Sequence, residues 1–201
     1  SPPELSQLRE QALKLLPDQL PTVAAIVPCY NYGRLVIEAV ASLRAQTYPK
    51  LDIVVVNDGS TDKETLVALR ELEAERVRVV HQSNTGLVGA RQAGANETDS
   101  DLLLFLDNDD LLEPEAITLL VAHLAEHPDC AFAYPSQRFI GDQELCWEPQ
   151  AYFAFDILWS NHPTVCSLIR REAFNEVGGY DARMVYGWED WSHWIALSAK
   201  G

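Results

Sequence analysis

The chain has 201 residues, 47% of them hydrophobic, enough for one compact domain with a buried core, so its length demands no second domain. Fifteen Lys and Arg stand against 30 Asp and Glu, a formal net charge of −15; such a surface repels polyphosphate and excludes general nucleic-acid binding. No apolar run nears the roughly 20 residues of a membrane span, and Cys29, Cys130, Cys146 and Cys166 form no CxxC pair, so they are expected to be reduced and mostly buried.

Residues Glu4 to Leu16 place Leu5, Leu8, Ala12, Leu15 and Leu16 at helical spacing before Pro17 and Pro21 break the pattern. Residues 1–21 therefore read as a leader helix and linker, and 22–201 as the main domain. From Thr22 onward, strands are expected at Val23–Val27, Ile53–Val56, Val77–His81, Leu102–Leu106 and Ala131–Tyr134. Between them, helical spacing predicts Leu35–Gln46, Lys63–Glu73, Leu87–Ala95 and Pro114–Glu126. This βαβα order predicts an α/β, Rossmann-like, mostly parallel sheet flanked by helices. The ligand crevice of such a sheet lies at the carboxyl ends of its strands. After Tyr134 the alternation changes. Gln137–Trp147 reads as a hairpin turning at Gly141-Asp142, giving the C-terminal third a small antiparallel part. An aromatic stretch from Tyr152 to Trp159, a strand at Val165–Ile169 and a helix from Glu189 complete the chain.

Two strands end in acidic turns, Asn57-Asp58-Gly59-Ser60 and Asp107-Asn108-Asp109-Asp110, which should open into one crevice. Asp58 can serve ordinary turn chemistry, and Asp62 can cap the next helix. Three carboxylates in four residues repel one another unless a cation neutralises them, and Mg²⁺ or Mn²⁺ bridging one or two carboxylates to a diphosphate meets that need. A helix cap would need only one acid. Arg91, in a helix that follows the Gly86 turn, could meet a diphosphate in bidentate fashion or serve as a solvated surface charge. Glu189 and Asp190 open a helix beside Trp188, Trp191 and Trp194. Trp191 and Trp194 are expected in the core, whereas the two acids suit either dipole compensation or a partly desolvated general base. Trp188 and Trp159 are candidate acceptor contacts, because flat aromatic faces suit sugar rings; burial is the alternative. His123-Leu124-Ala125-Glu126-His127 matches a zinc-peptidase pattern, but it closes a helix before Pro128 and has no third ligand.

Taken in order, Ala25-Ile26-Val27-Pro28-Cys29-Tyr30-Asn31, Val56 to Asp62, the DxD-type Asp107 to Asp110, Val177-Gly178-Gly179-Tyr180-Asp181 and Trp188-Glu189-Asp190-Trp191 resemble the family-2 glycosyltransferases of the GT-A fold. The likeness runs from about Val23 to Gly201. It implies sugar transfer with inversion from a nucleotide-diphosphate sugar, a UDP-sugar favoured, to a glycan or lipid-linked acceptor. By the same resemblance Pro28, Tyr30, Asn31 and Asp58 hold the nucleotide, with Arg91, Asp107 and Asn108 completing the donor site. Asp109, with Asp107, would hold Mn²⁺ or Mg²⁺. Asp190 would be the general base, and Glu189 would orient the acceptor or the base. Arg91-Gln92 and Ser192-His193 depart from the common pattern, which bears on fine donor contacts. Many relatives continue beyond the point matching Gly201, so this is expected to be part of a longer polypeptide. Its expected location is cytoplasmic, with any peripheral association at the inner face of the membrane. A non-catalytic nucleotide-sugar-binding or interaction domain is the rival reading.

Overall fold

The computed structural model describes residues 10, 12–16, 19–141, 145–148, 152–153 and 155–199. Most of the expected leader helix lies outside the described residues; within them, residues 12–15 are helical.

A six-stranded sheet forms the centre. Its strands are β1 (Val23–Cys29), β2 (Leu51–Asp58), β3 (Arg78–Gln82), β4 (Leu102–Phe105), β5 (Phe132–Ala133) and β8 (Leu168–Arg170), in the order β3-β2-β1-β4-β8-β5. β1 pairs in parallel with β2 and β4, and β2 with β3, while β8 runs antiparallel between β4 and β5. The mostly parallel sheet expected from the sequence is therefore present, with one reversed strand. The helices are α1 (Leu35–Arg44), α2 (Lys63–Ala74), α3 (Gly86–Asn96), α4 (Ala116–Glu126), α5 (Arg171–Glu176) and α6 (Glu189–Ser198). A separate antiparallel pair, β6 (Gln137–Phe139) and β7 (Leu145–Trp147), is the expected hairpin; Asp142 of its turn lies outside the described residues.

Side chains of a strand alternate between faces, and β1 shows what this does for the core. Val23, Ala25, Val27 and Cys29 pack with Val36, Val40 and Leu43 of α1 and Leu69 and Leu72 of α2. Ala24 and Ile26 face the other way, towards Ala90 of α3 and Trp194 and Leu197 of α6. Both faces are covered, which is why the parallel strands read as unbroken apolar runs. Helix α3 lies especially close to the sheet. A Cβ at Gly94 would come within 2.4 Å of Ile26 Cγ2 and 3.0 Å of Val56 Cγ2.

β1 outlasts its expected end at Val27, passing through Pro28. Val23 N–H donates towards β2, to Lys50 O at 2.9 Å, whereas Ile26 O accepts from Leu106 on the β4 side. The even residues therefore direct their backbone groups at β4. That strand ends at Phe105, opposite Ile26, so Pro28, which has no N–H to give, stands where the pairing on that side closes. In the C-terminal third, the strand expected at Val165–Ile169 forms at Leu168–Arg170, after an irregular loop.

Two of the four cysteines depart from expectation: Cys29 and Cys166 are buried, but Cys130 and Cys146 are exposed. Cys146 lies on the small hairpin and Cys130 follows α4, both away from the two-faced core. No helix among the described residues is long and apolar enough to cross a membrane.

Candidate functional site

The carboxyl ends of β1, β2 and β4 open into one crevice of about 460 Å³, within the usual size of a small-molecule site. Pro28, Cys29, Tyr30 and Tyr32 line it from the β1 end, and Asp58 from β2. Asp107, Asn108 and Asp109 line it from β4, and Asn84, Gly86, Leu87 and Ala90 from the start of α3. The two acidic turns, 49 to 51 positions apart in sequence, thus share a wall.

Asp58 is buried, and its carboxylate organises the α3 side. Oδ1 accepts from Thr85 N–H at 2.8 Å and Gln82 Nε2 at 2.7 Å, while Oδ2 accepts from Gly86 N–H at 2.9 Å. These amides open α3, so a negative charge here also meets the positive end of the helix dipole. Gly59 permits the approach: its φ is +74°, and a Cβ there would lie 2.8 Å from Asn84 N. Asp62 caps α2, accepting from Thr65 N–H at 2.8 Å.

Asn31 serves a different end from the one expected. Its Oδ1 accepts from Thr61 N–H at 2.8 Å and Asp62 N–H at 2.9 Å, at a left-handed φ of 57°. The side chain joins the loop after β1 to the loop after β2 and does not line the crevice. Its amide is occupied in shaping the wall.

Arg91 also departs from expectation. It is 1% exposed, with Nη2 donating to Asp107 Oδ1 at 2.7 Å and Nη1 to Glu189 Oε1 at 2.8 Å. Its guanidinium sits 5.4 Å from the centre of the Tyr180 ring. Burial opposes the charge, but Tyr180, Asp107 and Glu189 more than offset it, so the proton is held above the ordinary arginine range. Buried in this way, Arg91 does not line the crevice, and its two terminal nitrogens point at internal carboxylates. It links the β4 turn to α6. Glu189 is correspondingly buried, facing Arg91 and not an open acceptor site.

In the β4 turn, Asp107 is partly exposed and Asn108 is buried. Asp109 has no hydrogen-bond or ion-pair partner among the described residues. Asp110 is pushed up to about 6, by burial first and then by the charges of Asp107 and Asp109. The turn therefore carries more negative charge than Arg91 neutralises. No group of three or more His, Cys, Asp or Glu among the described residues is arranged to hold a metal. Asp107 leans on Arg91, and Asp110 turns to Cys166, whose Sγ lies 3.8 Å from its Oδ2. A hard divalent cation fits this donor set only as a partial site, with Asp109 and the free oxygen of Asp107 supplemented by oxygens from a ligand and from water. His123 and His127 lie with ring centres 4.5 Å apart, their planes tilted by 48°, and belong to no such group either.

Asp190 begins α6 next to Glu189. Its Oδ2 accepts from Asn161 Nδ2 at 2.9 Å, and its Oδ1 from Trp191 N–H at 2.7 Å. Asp190 does not line the crevice itself, but Glu189, Arg91 and Asp107 connect the two, and Tyr180 feels the charges of Arg91, Asp107, Asp190 and Glu189 together. Trp194 is fully buried and Trp191 half-buried, with Trp191 Nε1 donating to Ile157 O at 2.5 Å. Trp188 and Trp159 are exposed, at 65% and 77%, and so is Tyr186 at 98%. The sequence reading missed Tyr32, Asn84 and Leu87 as lining residues. It also missed Asn161 and the Tyr180 support beneath Arg91. Tyr32 follows the Pro28–Asn31 segment directly, Asn84 and Leu87 flank the Gly86 turn, and Tyr180 stands in the Val177–Asp181 motif, so these could have been suggested by position; Asn161 carries no local signal.

Residues 24–178 match the profile of the family described as Glycosyl transferase family 2. Glycosyltransferase GlyA of Streptococcus pneumoniae serotype 4 is 30% identical over 141 residues, 70% of this chain and 19% of that protein. The S. aureus TarS structure in complex with UDP superposes with a TM-score of 0.72 at 20% identity, covering 88% of this chain and 55% of that one. Mannosyltransferase PcManGT from Pyrobaculum calidifontis, in complex with GDP-Man and Mn²⁺, gives 0.65 at 19% identity, covering 94% and 57%. At such identities the two solved structures share the fold, the GT-A arrangement. The chain spans about half the length of these structures and a fifth of GlyA.

Proposed function

The chain belongs to glycosyl transferase family 2, and from that premise we propose that it transfers a sugar, with inversion, from a nucleotide-diphosphate sugar to a hydroxyl of a glycan or lipid-linked acceptor. The observation that carries this reading is the crevice shared by Asp58, Asp107 and Asp109 with the rings of Tyr30 and Tyr32. A UDP-sugar is the favoured donor. The aromatic rim suits a nucleobase, and Asp58 and Asn108 offer polar edges beside it. The TarS and PcManGT structures hold UDP and GDP-Man with Mn²⁺, respectively, which supports a donor of this class.

Mn²⁺ or Mg²⁺ would be held by Asp109 with Asp107 and would supply positive charge for the departing nucleoside diphosphate. Asp190 takes the proton of the attacking hydroxyl; positioned base catalysis contributes about 10²–10⁴-fold. Glu189 places Asp190 by fixing the start of α6 on Arg91. Trp188 and Trp159 present open ring faces on which an acceptor sugar can lie.

The direct test is release of nucleoside diphosphate from a panel of UDP-, GDP- and dTDP-sugars with Mn²⁺ or Mg²⁺. Asp190→Asn should keep nucleotide binding and lose turnover, and Asp109→Ala should lose metal-dependent binding. Full turnover by Asp190→Asn rejects the base assignment. Unchanged metal and nucleotide affinity in Asp109→Ala rejects the metal assignment.

A further inference from the structure

Among the described residues, Asp190 is held from outside its own helix by a single side chain. Asn161 Nδ2 lies 2.9 Å from Asp190 Oδ2. Because an ionised carboxylate only accepts, the amide group must point its NH₂ end at Asp190 and its oxygen away. That oxygen, Oδ1, is buried without a hydrogen-bond partner in the described structure. The segment carrying Asn161 is fastened along α6 at two further points: Trp191 Nε1 donates to Ile157 O at 2.5 Å, and Tyr152 Oη donates to Ser198 Oγ at 2.5 Å. Trp159 and Asn161 are therefore presented beside the helix that bears Asp190.

A buried carbonyl with no partner costs free energy, and an apolar side chain of the same shape would remove that cost. Folding alone thus favours leucine at position 161. Among the described residues, the asparagine side chain gains there only the bond to Asp190. We infer that Asn161 is a positioning residue that fixes the orientation of the Asp190 carboxylate. This inference rests on the proposed role of Asp190 as base. Oδ1 of Asp190 is tied to Trp191 N–H and Oδ2 to Asn161, so the plane of the carboxylate is set from both ends. Each oxygen keeps a second lone pair, and either can receive the proton of an incoming hydroxyl.

The test is Asn161→Leu, assayed as nucleoside diphosphate release, with water as acceptor, from the nucleotide sugar that the wild type turns over fastest. The expected result has two opposite parts: a melting temperature equal to or above the wild type, and kcat lower by about 10- to 100-fold, the loss of one hydrogen bond to a charged group. KM for the donor should stay within about twofold, since the nucleotide wall is untouched. Asn161→Asp, which puts a like charge against Asp190, should move the acid limb of the kcat profile to higher pH. Unchanged kcat in Asn161→Leu, or kcat and melting temperature falling together, overturns the inference. Asp190→Asn separates the two readings: if it remains active the base assignment is wrong, and if it is inactive while Asn161→Leu is not, only the positioning role fails. A crystal structure of Asn161→Leu in which the Asp190 carboxylate keeps its orientation also overturns it, without reference to turnover.

Discussion

Arg91 and Glu189 stand 98 positions apart in sequence and are joined by a 2.8 Å ion pair, with the arginine 1% exposed and its other arm on Asp107. One guanidinium therefore fixes the distance between the acidic turn after β4 and the start of the helix carrying Asp190. Arginine suits this task because its planar fork reaches two carboxylates at once.

Removing one member of a buried pair leaves the other charged and undersolvated. Arg91→Met should therefore cost about 3–5 kcal/mol of stability. Glu189, with little exposure, dominates that loss; Asp107 can turn to water and contributes less. Adding Glu189→Gln to Arg91→Met removes the stranded charge and should restore part of the stability without restoring turnover. Urea unfolding of both singles and the double gives the coupling directly. Additive losses would mean that the pair does not act as a unit.

Asp58 makes a second, separable contribution. Its two oxygens receive the Thr85 and Gly86 amides and the Gln82 side chain, so Asp58→Asn must bring an NH₂ group against at least one donor. The expected loss is about 2 kcal/mol, that of a buried donor left unmatched. Because α3 and the loop before it form one wall of the crevice, affinity for UDP should fall as well. Urea midpoints and calorimetric titration with UDP check the two effects. A variant that binds UDP normally would show that Asp58 supports the fold alone.

The parts of this architecture that were legible in the sequence are those set by local pattern. The apolar runs in β1, β2 and β4 announced a sheet buried on both faces, and the turns at Asp58 and Asp107–Asp110 announced where it opens. Asp62 was readable as a cap because capping acts over three residues. Arg91 was not readable in the same way: nothing near it in sequence tells whether a helix-borne guanidinium faces water, a ligand or, as here, Glu189 on a distant element. Asn31 looked like a ligand residue, yet its amide is used to join two loops. Asn161 lies in irregular chain with no periodicity at all. Its meaning comes only from the antiparallel return through β8, which brings that loop beside α6.

Gly94 tests how tightly the wall must be set. Its missing side chain lets α3 settle on Ile26 and Val56, and Ala90 and Arg91 ride on the same helix. Gly94→Ala should gain helix propensity but force a Cβ into contacts far shorter than van der Waals distance. The overpacking term should win, with a net loss of about 1–3 kcal/mol. If α3 moves outward instead, the Arg91 clamp loosens and turnover falls more than stability does. Thermal unfolding and donor turnover measured on one preparation distinguish the two responses; a stabilised, fully active variant would contradict the close packing.

His193 gives the fold a pH dependence of its own. The ring is buried against Tyr180, with centroids 4.5 Å apart, and its Nδ1 donates to Gly179 O at 3.2 Å. Burial, aided by the charge of Arg91 and opposed by the Gly179 bond, lowers its pKa from 6.5 to about 4. Between those values the unfolded chain binds a proton that the folded chain refuses. Stability from this group is thus complete above about 6.5 and declines as the pH falls towards 4, by roughly 3 kcal/mol in all. His193→Phe keeps a ring in the same place but has no proton to gain. Its urea midpoint should fall less steeply than that of the wild type between pH 7 and pH 4.5, the acidic residues contributing equally to both curves. Parallel curves would place the histidine outside the acid response and would require its ring to be protonated, or accessible to protonation, in the folded chain.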